Sequence, residues 1–334
     1  MNAIDVPALL ARAIHRHMGE DFALVGARRL SGGASRETWA FDVDGPRGPM
    51  PLILRRDPPR AVPLPDDDGA RGIDRATEAR LQKAARAGGV RCAEVVFILE
   101  ADDGLGDGYV MERIEGETIA RKILRDAEYA NARPILARQC GEALARIHAL
   151  TGPDLPVLPT RDARTQWSEY RQMLDDFGDP HPTFELALRW LDRNMPPPAK
   201  TRLVHGDFRM GNIIVGPDGL RAVLDWELAH MGDPMADLGW ICINAWRFGV
   251  LENPVGGFGQ LDDLIAGYEA AGGETVDRDL VRFWEVFGTL KWGISCKIMA
   301  WTHLSGTTRS VELAAIGRRA CENELDLLDL LIRE

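Results

Sequence analysis

The stretch Leu203-Val204-His205-Gly206-Asp207-Phe208-Arg209-Met210-Gly211-Asn212-Ile213-Ile214, followed shortly by Val223-Leu224-Asp225-Trp226-Glu227, decides how this chain is read. It places three side chains that can serve as base or metal ligand, Asp207, Asn212 and Asp225, in one strand-loop-strand unit. Asp207 and Asn212 are five residues apart, so a short loop can turn both into one cleft before the apolar run Ile213, Ile214 and Val215 enters the core as a strand. Val223 and Leu224 form the returning strand, with Asp225 at its end. Phosphoryl transfer to a hydroxyl asks for this set: an Asp to accept the attacking hydroxyl's proton, and an Asn and a second Asp to hold Mg²⁺ against nucleotide phosphates.

A chain of 334 residues can bury a sizeable core and is long for one domain, so two lobes are expected. With 45% apolar and 27% charged residues it has an ordinary globular composition. The net charge of −11 argues against nucleic acid, which needs a basic face, and favours a cationic or neutral substrate, although an acidic balance also simply maintains solubility. Five scattered cysteines without a CxxC pair fit a reducing, cytoplasmic compartment. The first residues lack the basic-then-apolar order of a signal peptide. The apolar segment from Phe283 to Trp301 is interrupted by Lys291 and Lys297, so it reads as a core helix and no membrane partner is expected.

Along the chain, Val6, Leu9, Leu10, Ala13 and Ile14 recur at helical spacing. Strands are expected over Val25 to Leu30, Arg36 to Val43 and Pro51 to Arg55, then a helix from about Asp74 to Ala87 stopped by Gly88-Gly89. Val95 to Leu99 and Tyr109 to Met111 complete a small sheet. Beyond Gly116 the pattern turns helical, with one helix marked by Ile135, Leu136, Cys140, Leu144 and Ile147 and another running from a Ser310 cap through Val311 to Ile332. The lobe boundary falls near Glu112 to Glu117: residues 1–111 form an N-terminal nucleotide-binding lobe, 112–117 a hinge and 118–334 a helical lobe with the catalytic loop and acceptor site.

The HxDxxxxN spacing of His205, Asp207 and Asn212, the downstream Asp225-Trp226-Glu227 and the segment Gly232-Asp233-Pro234-Met235-Ala236-Asp237-Leu238 resemble the aminoglycoside phosphotransferase and choline kinase superfamily. The Leu54-Arg55-Arg56 strand end resembles the subgroup of kinase-like domains attached to certain acyl-CoA dehydrogenases. The resemblance runs along almost the whole chain. It implies an α+β, two-lobed protein-kinase-like fold, with a small antiparallel-sheet N-lobe and a larger helical C-lobe.

It also implies roles. Asp207 would be the catalytic base, with Asn212 and Asp225 on the metal. Gly32, Gly33 and Ser35 in Ser31-Gly32-Gly33-Ala34-Ser35 would cover the ATP phosphates. Only five of the forty basic residues are lysines and none lies in the third strand, so an arginine must replace the usual lysine there. Arg55 shares a face with Ile53 and fits that role, with Glu78 as its acidic partner, whereas Arg56 reads as a solvated charge. The Glu112 carbonyl and Ile114 amide would meet adenine. Glu227 and Asp233 are acceptor candidates, although Asp233 and Asp237 equally fit helix capping. His148 reads as closing a helix end, and residues 151–199, with Trp167, Tyr170 and Trp190, as a place for an acceptor pocket.

No lysine directly follows a glycine, which removes a Walker A loop, and no HExxH pattern supports a zinc hydrolase. The short interval after Asp225 and the lack of Ala-Pro-Glu leave no activation loop for a polypeptide substrate. The resemblance therefore implies an ATP- and Mg²⁺-dependent kinase of a small-molecule hydroxyl. The acceptor stays open among hydroxyacyl-CoAs, aminoglycosides, choline-like alcohols and sugars, and a nucleotide-binding pseudoenzyme or regulatory module remains the alternative. The sequence leaves oligomeric state and ATP-versus-GTP preference undetermined.

Overall fold

The structure, a computed structural model, describes residues 5–30, 37–58 and 72–332. Chain contacts divide it into two compact units. The first comprises residues 1–115, 152–156 and 222–228, and the second comprises 116–151, 157–221 and 229–334.

The first unit opens with α1 (Val6–Met18), whose Asp5 cap accepts the Ala8 N–H and whose first turn holds Pro7. Five strands follow around one helix: β1 (Ala23–Leu30), β2 (Glu37–Gly45), β3 (Gly48–Asp57), α2 (Arg75–Ala87), β4 (Val95–Ile98) and β5 (Asp107–Glu112). Their spatial order is β1-β2-β3-β5-β4, with every pairing antiparallel. Strand alternation sorts β3 onto two faces. Leu52 and Leu54 join Leu10, Ile14 and Phe41 under α1, while Ile53 joins Ala79 of α2 with Tyr109 and Met111. Arg55 consequently shares the α2 face, and Arg56 the α1 face. Residues 222–228 belong to this unit because the Val223 N–H donates to the Arg91 carbonyl and the Ile73 N–H to the Glu227 carbonyl.

The second unit is mainly helical. It contains α3 (Ala120–Arg125), α4 (Arg133–His148), α5 (Ala163–Phe177) and α6 (Pro182–Arg193), followed by the short strands β6 (Arg202–Val204) and β7 (Ile213–Gly216) and the start of β8 (Gly219–Val223). Then come β9 (His230–Gly232), α7 (Met235–Cys242), α8 (Leu261–Ala270), α9 (Arg278–Leu304), α10 (Val311–Gly317) and α11 (Ala320–Ile332). The 27-residue α9 buries Phe283, Trp284, Phe287, Leu290 and Ile294 and packs against α5, α6, α7, α10 and α11. The expected continuous helix after Ser310 is instead two helices, α10 and α11. The Ser310 hydroxyl still caps the first of them through the Leu313 N–H.

Antiparallel β6 and β9 brace the residues on either side of the motif loop. Close helix packing fixes α4 against α8, where Gly141 lies against the Leu264 carbonyl and any Cβ would collide. Among the described residues, no helix is long and apolar enough to cross a membrane.

Candidate functional site

The loop from His205 to Asn212 lies in the second unit, after β6, and turns through Gly206 and Gly211 at φ 81° and 101°, conformations open to glycine at little cost. It is pinned from below by Asp237 on α7. One Asp237 oxygen accepts the His205 N–H at 2.7 Å and the other the Gly206 N–H at 2.9 Å, while His148 Nε2 lies 3.1 Å away. Burial pushes the Asp237 carboxyl upward, but His148, His205 and the backbone donors outweigh it and hold the carboxyl below its ordinary range. His148 therefore does more than close α4: its other ring nitrogen meets the Tyr268 hydroxyl at 2.9 Å, tying the anchor of the motif loop to α8.

On this base the Asp207 carboxylate is held from two sides. Its Oδ1 accepts from the Trp240 indole at 2.9 Å and from Arg209 Nε at 3.0 Å. Its Oδ2 accepts from Asn212 Nδ2 at 2.6 Å, and the same amide donates to the Asp207 carbonyl at 3.0 Å. Asp207 and Asn212 are thus brought together, as a five-residue loop allows.

The first unit assembles a separate charged cluster. Arg55 donates to Asp225 at 2.9 Å and lies 3.5 Å from Glu78 and 3.7 Å from Glu227. Burial opposes the Arg55 charge, but Glu78, Tyr109 and Asp225 hold its pKa above the ordinary value. Arg75 takes the other oxygen of Glu78 one helical turn away and also reaches Asp57 and Glu227, each at 3.2 Å. Asp225 itself sits at φ 62°, a left-handed conformation that Asp adopts more readily than most residues.

Several expectations change. Arg56 is not a solvated charge; it is 3% exposed, paired with Glu37 at 2.7 Å and bonded to the Leu105 carbonyl, because strand alternation turns it under α1. Asp233, expected as an acceptor candidate or a cap, is buried, with Oδ1 accepting the Met235 N–H and Oδ2 the Trp284 indole, both at 2.9 Å, so it caps α7 and ties it to α9. Burial raises its pKa despite those donors. Glu227 lies with the arginines of the first unit. The Ile114 N–H has no protein acceptor among the described residues, whereas the Glu112 N–H donates to the Glu94 carbonyl. Gly32, Gly33 and Ser35 lie outside the described residues.

The sequence reading missed Arg75, Arg209, Trp240 and Lys291. Arg75 carried a signal in its i,i+3 spacing to Glu78. Lys291 stood out only as one of two lysines interrupting the apolar segment from Phe283 to Trp301, and it donates from mid-α9 to the Gly206 carbonyl at 3.2 Å.

A five-stranded antiparallel sheet unit with a carboxylate-paired arginine on its third strand, and a helical unit holding an HxDxxxxN loop, together define an α+β, two-lobed protein-kinase-like fold. A family model described as "Phosphotransferase enzyme family" matches residues 26–273, and the chain belongs to that family. It is 31% identical over 204 residues to mouse acyl-CoA dehydrogenase family member 10, covering 58% of this chain and 18% of that protein. Chicken acyl-CoA dehydrogenase family member 11 is 30% identical over 228 residues, covering 65% and 27%. The chain thus spans about a quarter or less of these relatives' length. Among solved structures, a choline/ethanolamine kinase family protein from Mesorhizobium loti superposes with TM-score 0.63 at 20% identity, covering 92% of this chain and 88% of that one. A thermostable mutant of aminoglycoside phosphotransferase APH(4)-Ia, in ternary complex with AMP-PNP and hygromycin B, gives TM-score 0.63 at 16% identity, with 97% and 99% covered. At these identities the likeness is one of fold.

Proposed function

We propose that this chain is a cytoplasmic, ATP- and Mg²⁺-dependent O-phosphotransferase acting on a small-molecule hydroxyl. The observation that carries the reading is the Asp207 carboxylate, fixed by Trp240 and Arg209 on one oxygen and by the Asn212 amide on the other. In the reaction the acceptor oxygen forms a bond to the γ-phosphorus as the bond from that phosphorus to the bridging oxygen of ADP breaks, and the hydroxyl proton passes to Asp207 Oδ2. Asp207 orients the hydroxyl and takes its proton late, since a loose phosphoryl transition state gains most from positioning and charge neutralisation.

Arg55, steadied by Glu78 and Arg75, would grip phosphate oxygens in place of a lysine, and its fork suits that bidentate task. Residues 1–111 would hold the nucleotide, with Gly32, Gly33 and Ser35 along its phosphates. The hinge at 112–117 would meet adenine through the Glu112 carbonyl and the Ile114 N–H. Asn212 and Asp225 would be the metal ligands, each offering the kind of oxygen donor that Mg²⁺ takes, an ion that binds through few protein ligands and completes its shell with water and phosphate. When bound, the ion would neutralise phosphate charge and orient the leaving group. Residues 118–334 would carry the catalytic loop and the acceptor.

For the acceptor we favour a hydroxyacyl-CoA. Its support is the similarity to acyl-CoA dehydrogenase family members and a cavity of about 870 Å³ in the second unit, away from the helices of residues 151–199. Ile119, Phe248, Leu251 and Leu325 line it with Arg121, offering apolar walls for an acyl chain and a cation for phosphate, while Arg319 is paired with Glu322 at its edge. An aminoglycoside would want carboxylates beside the base, where Arg209 and Lys291 stand instead.

Calorimetry with AMP-PNP and Mg²⁺, together with coupled turnover assays of hydroxyacyl-CoAs, choline analogues, sugars and aminoglycosides, tests both levels. Asp207→Asn should cost about a hundredfold or more in turnover while leaving nucleotide affinity nearly intact. Asp225→Ala should instead lose Mg²⁺-dependent nucleotide binding. Nucleotide binding without turnover of any acceptor would favour the pseudoenzyme. Turnover of aminoglycosides alone would remove the hydroxyacyl-CoA preference.

A further inference from the structure

Lys291 is hard to explain by stability. It lies in the middle of α9, with Leu290 and Ile294 buried on either side along the chain. Its Nζ donates to the Gly206 carbonyl at 3.2 Å and stands 4.5 Å from the centre of the Trp240 ring. Among the described residues no carboxylate lies within ion-pair distance of it. Burial lowers its pKa, and the Asp207 and Asp237 charges oppose that fall only in part. A half-buried ammonium without a salt-bridge partner contributes little to a fold beyond an apolar side chain of similar length.

The two groups that Lys291 touches both lead to Asp207. Gly206 immediately precedes it in the loop, and its N–H is already fixed by Asp237, so Lys291 secures the carbonyl of a residue whose amide is held from the other side. Trp240 donates its indole N–H to Asp207 Oδ1 at 2.9 Å, and Lys291 sits over that same ring. A cation over an indole face fixes the ring plane, and the ring plane fixes the direction of the N–H. Arg209, the second donor to Oδ1, is itself seated over the neighbouring Trp246 ring at 4.4 Å, and the Trp240 and Trp246 rings meet edge to face at 5.4 Å. Both donors to one oxygen of Asp207 are therefore aimed by a cation-aromatic stack.

We infer that Lys291 is a positioning residue for Asp207, setting the orientation of its carboxylate through the Gly206 carbonyl and the Trp240 indole. This rests on the phosphotransferase reading for its kinetic consequence but not for its structural one. It also gives this lysine a task within the fold: the aim of the base.

The test is Lys291→Met, which keeps the length and removes the charge. Melting temperature should be unchanged or higher than in the wild type. Turnover should fall by about a hundredfold, the scale of a misaligned reacting group, with KM for ATP within about twofold. In an Asp207→Asn background the same change should add no further loss, because a residue that acts through Asp207 has nothing left to aim. An additive loss there would overturn the proposal. A readout without catalysis is the ¹H–¹⁵N resonance of the Trp240 indole, assigned with Trp240→Phe. In Lys291→Met its hydrogen exchange should quicken by about tenfold or more as the ring is released. An unchanged indole signal and exchange rate would overturn the proposal even if turnover fell. Should the wild type transfer no phosphate to any acceptor, the proposed function fails, while the indole measurement still decides what Lys291 does.

Discussion

The indole N–H of Trp240 donates to Oδ1 of Asp207 across 2.9 Å, while Oδ2 of the same carboxylate accepts from the Asn212 amide. Hydrogen bonds to a charged group contribute about 1.5–3 kcal/mol. Trp240→Phe removes the N–H donor and leaves a smaller aromatic ring beneath Lys291. Turnover should drop by about tenfold or more, with little change in nucleotide affinity measured by calorimetry. Equal turnover in the variant would show that Arg209 alone orients Oδ1.

The two neighbouring arginines of β3 should separate cleanly. Arg55→Ala removes the partner of Glu78 and Asp225 and should raise the ATP requirement by about tenfold or more, and Arg55→Lys should recover part of it. Arg56→Ala breaks the buried pair with Glu37 and strips the Leu105 carbonyl of its donor, so it should cost about 3 kcal/mol of stability and leave ATP affinity unchanged in the molecules that fold. Denaturant titration beside ATP kinetics reads both effects. A reversed pattern would mean that the arginines occupy the opposite faces of the strand.

Asp237 gives a pH dependence with a definite sign. Its pKa in the fold is held below the ordinary value of 3.8, so it contributes stability that is fully present above about pH 4 and is lost as pH falls through the lower folded value. Asp237→Asn should therefore be destabilised by about 3 kcal/mol at neutral pH, and the gap to wild type should narrow on acidification below pH 4. Thermal melts from pH 7 down to pH 3 check this. A gap that stays constant would mean the carboxylate charge is not what anchors the loop.

Packing of α4 on α8 depends on one missing methyl group. Gly141→Ala would press its Cβ into the Leu264 carbonyl and should cost about 1–3 kcal/mol in denaturant titrations through forced separation of the helices. Because His148 and Tyr268 are on the same two helices, turnover should fall as well. A fully stable and active variant would show that this helix pair can relax.

How much of this was legible in the sequence follows from the range of the interactions. The order and type of the elements in the first unit, the Asp207–Asn212 loop and the choice of Arg55 over Arg56 for the α2 face are local facts. They depend on a two-residue strand period, glycine turns and a five-residue spacing that the chain carries with it. Even there Arg56 was misjudged, because alternation tells which face a side chain takes but not that α1 covers that face. The aim of the Asp207 carboxylate depended on Trp240 and Lys291, which lie 33 and 84 positions further along the chain from it. Likewise Asp233, an acid beside a motif, became an anchor only because Trp284 of α9 arrives to claim its second oxygen. Sequence by itself determined which chemical groups the motif supplies and how they are spaced, since covalent spacing limits where a loop can place them. Tertiary structure decided which of those groups are consumed by neighbours and which remain directed at chemistry, since burial and hydrogen bonding between distant segments exist only once the chain has folded.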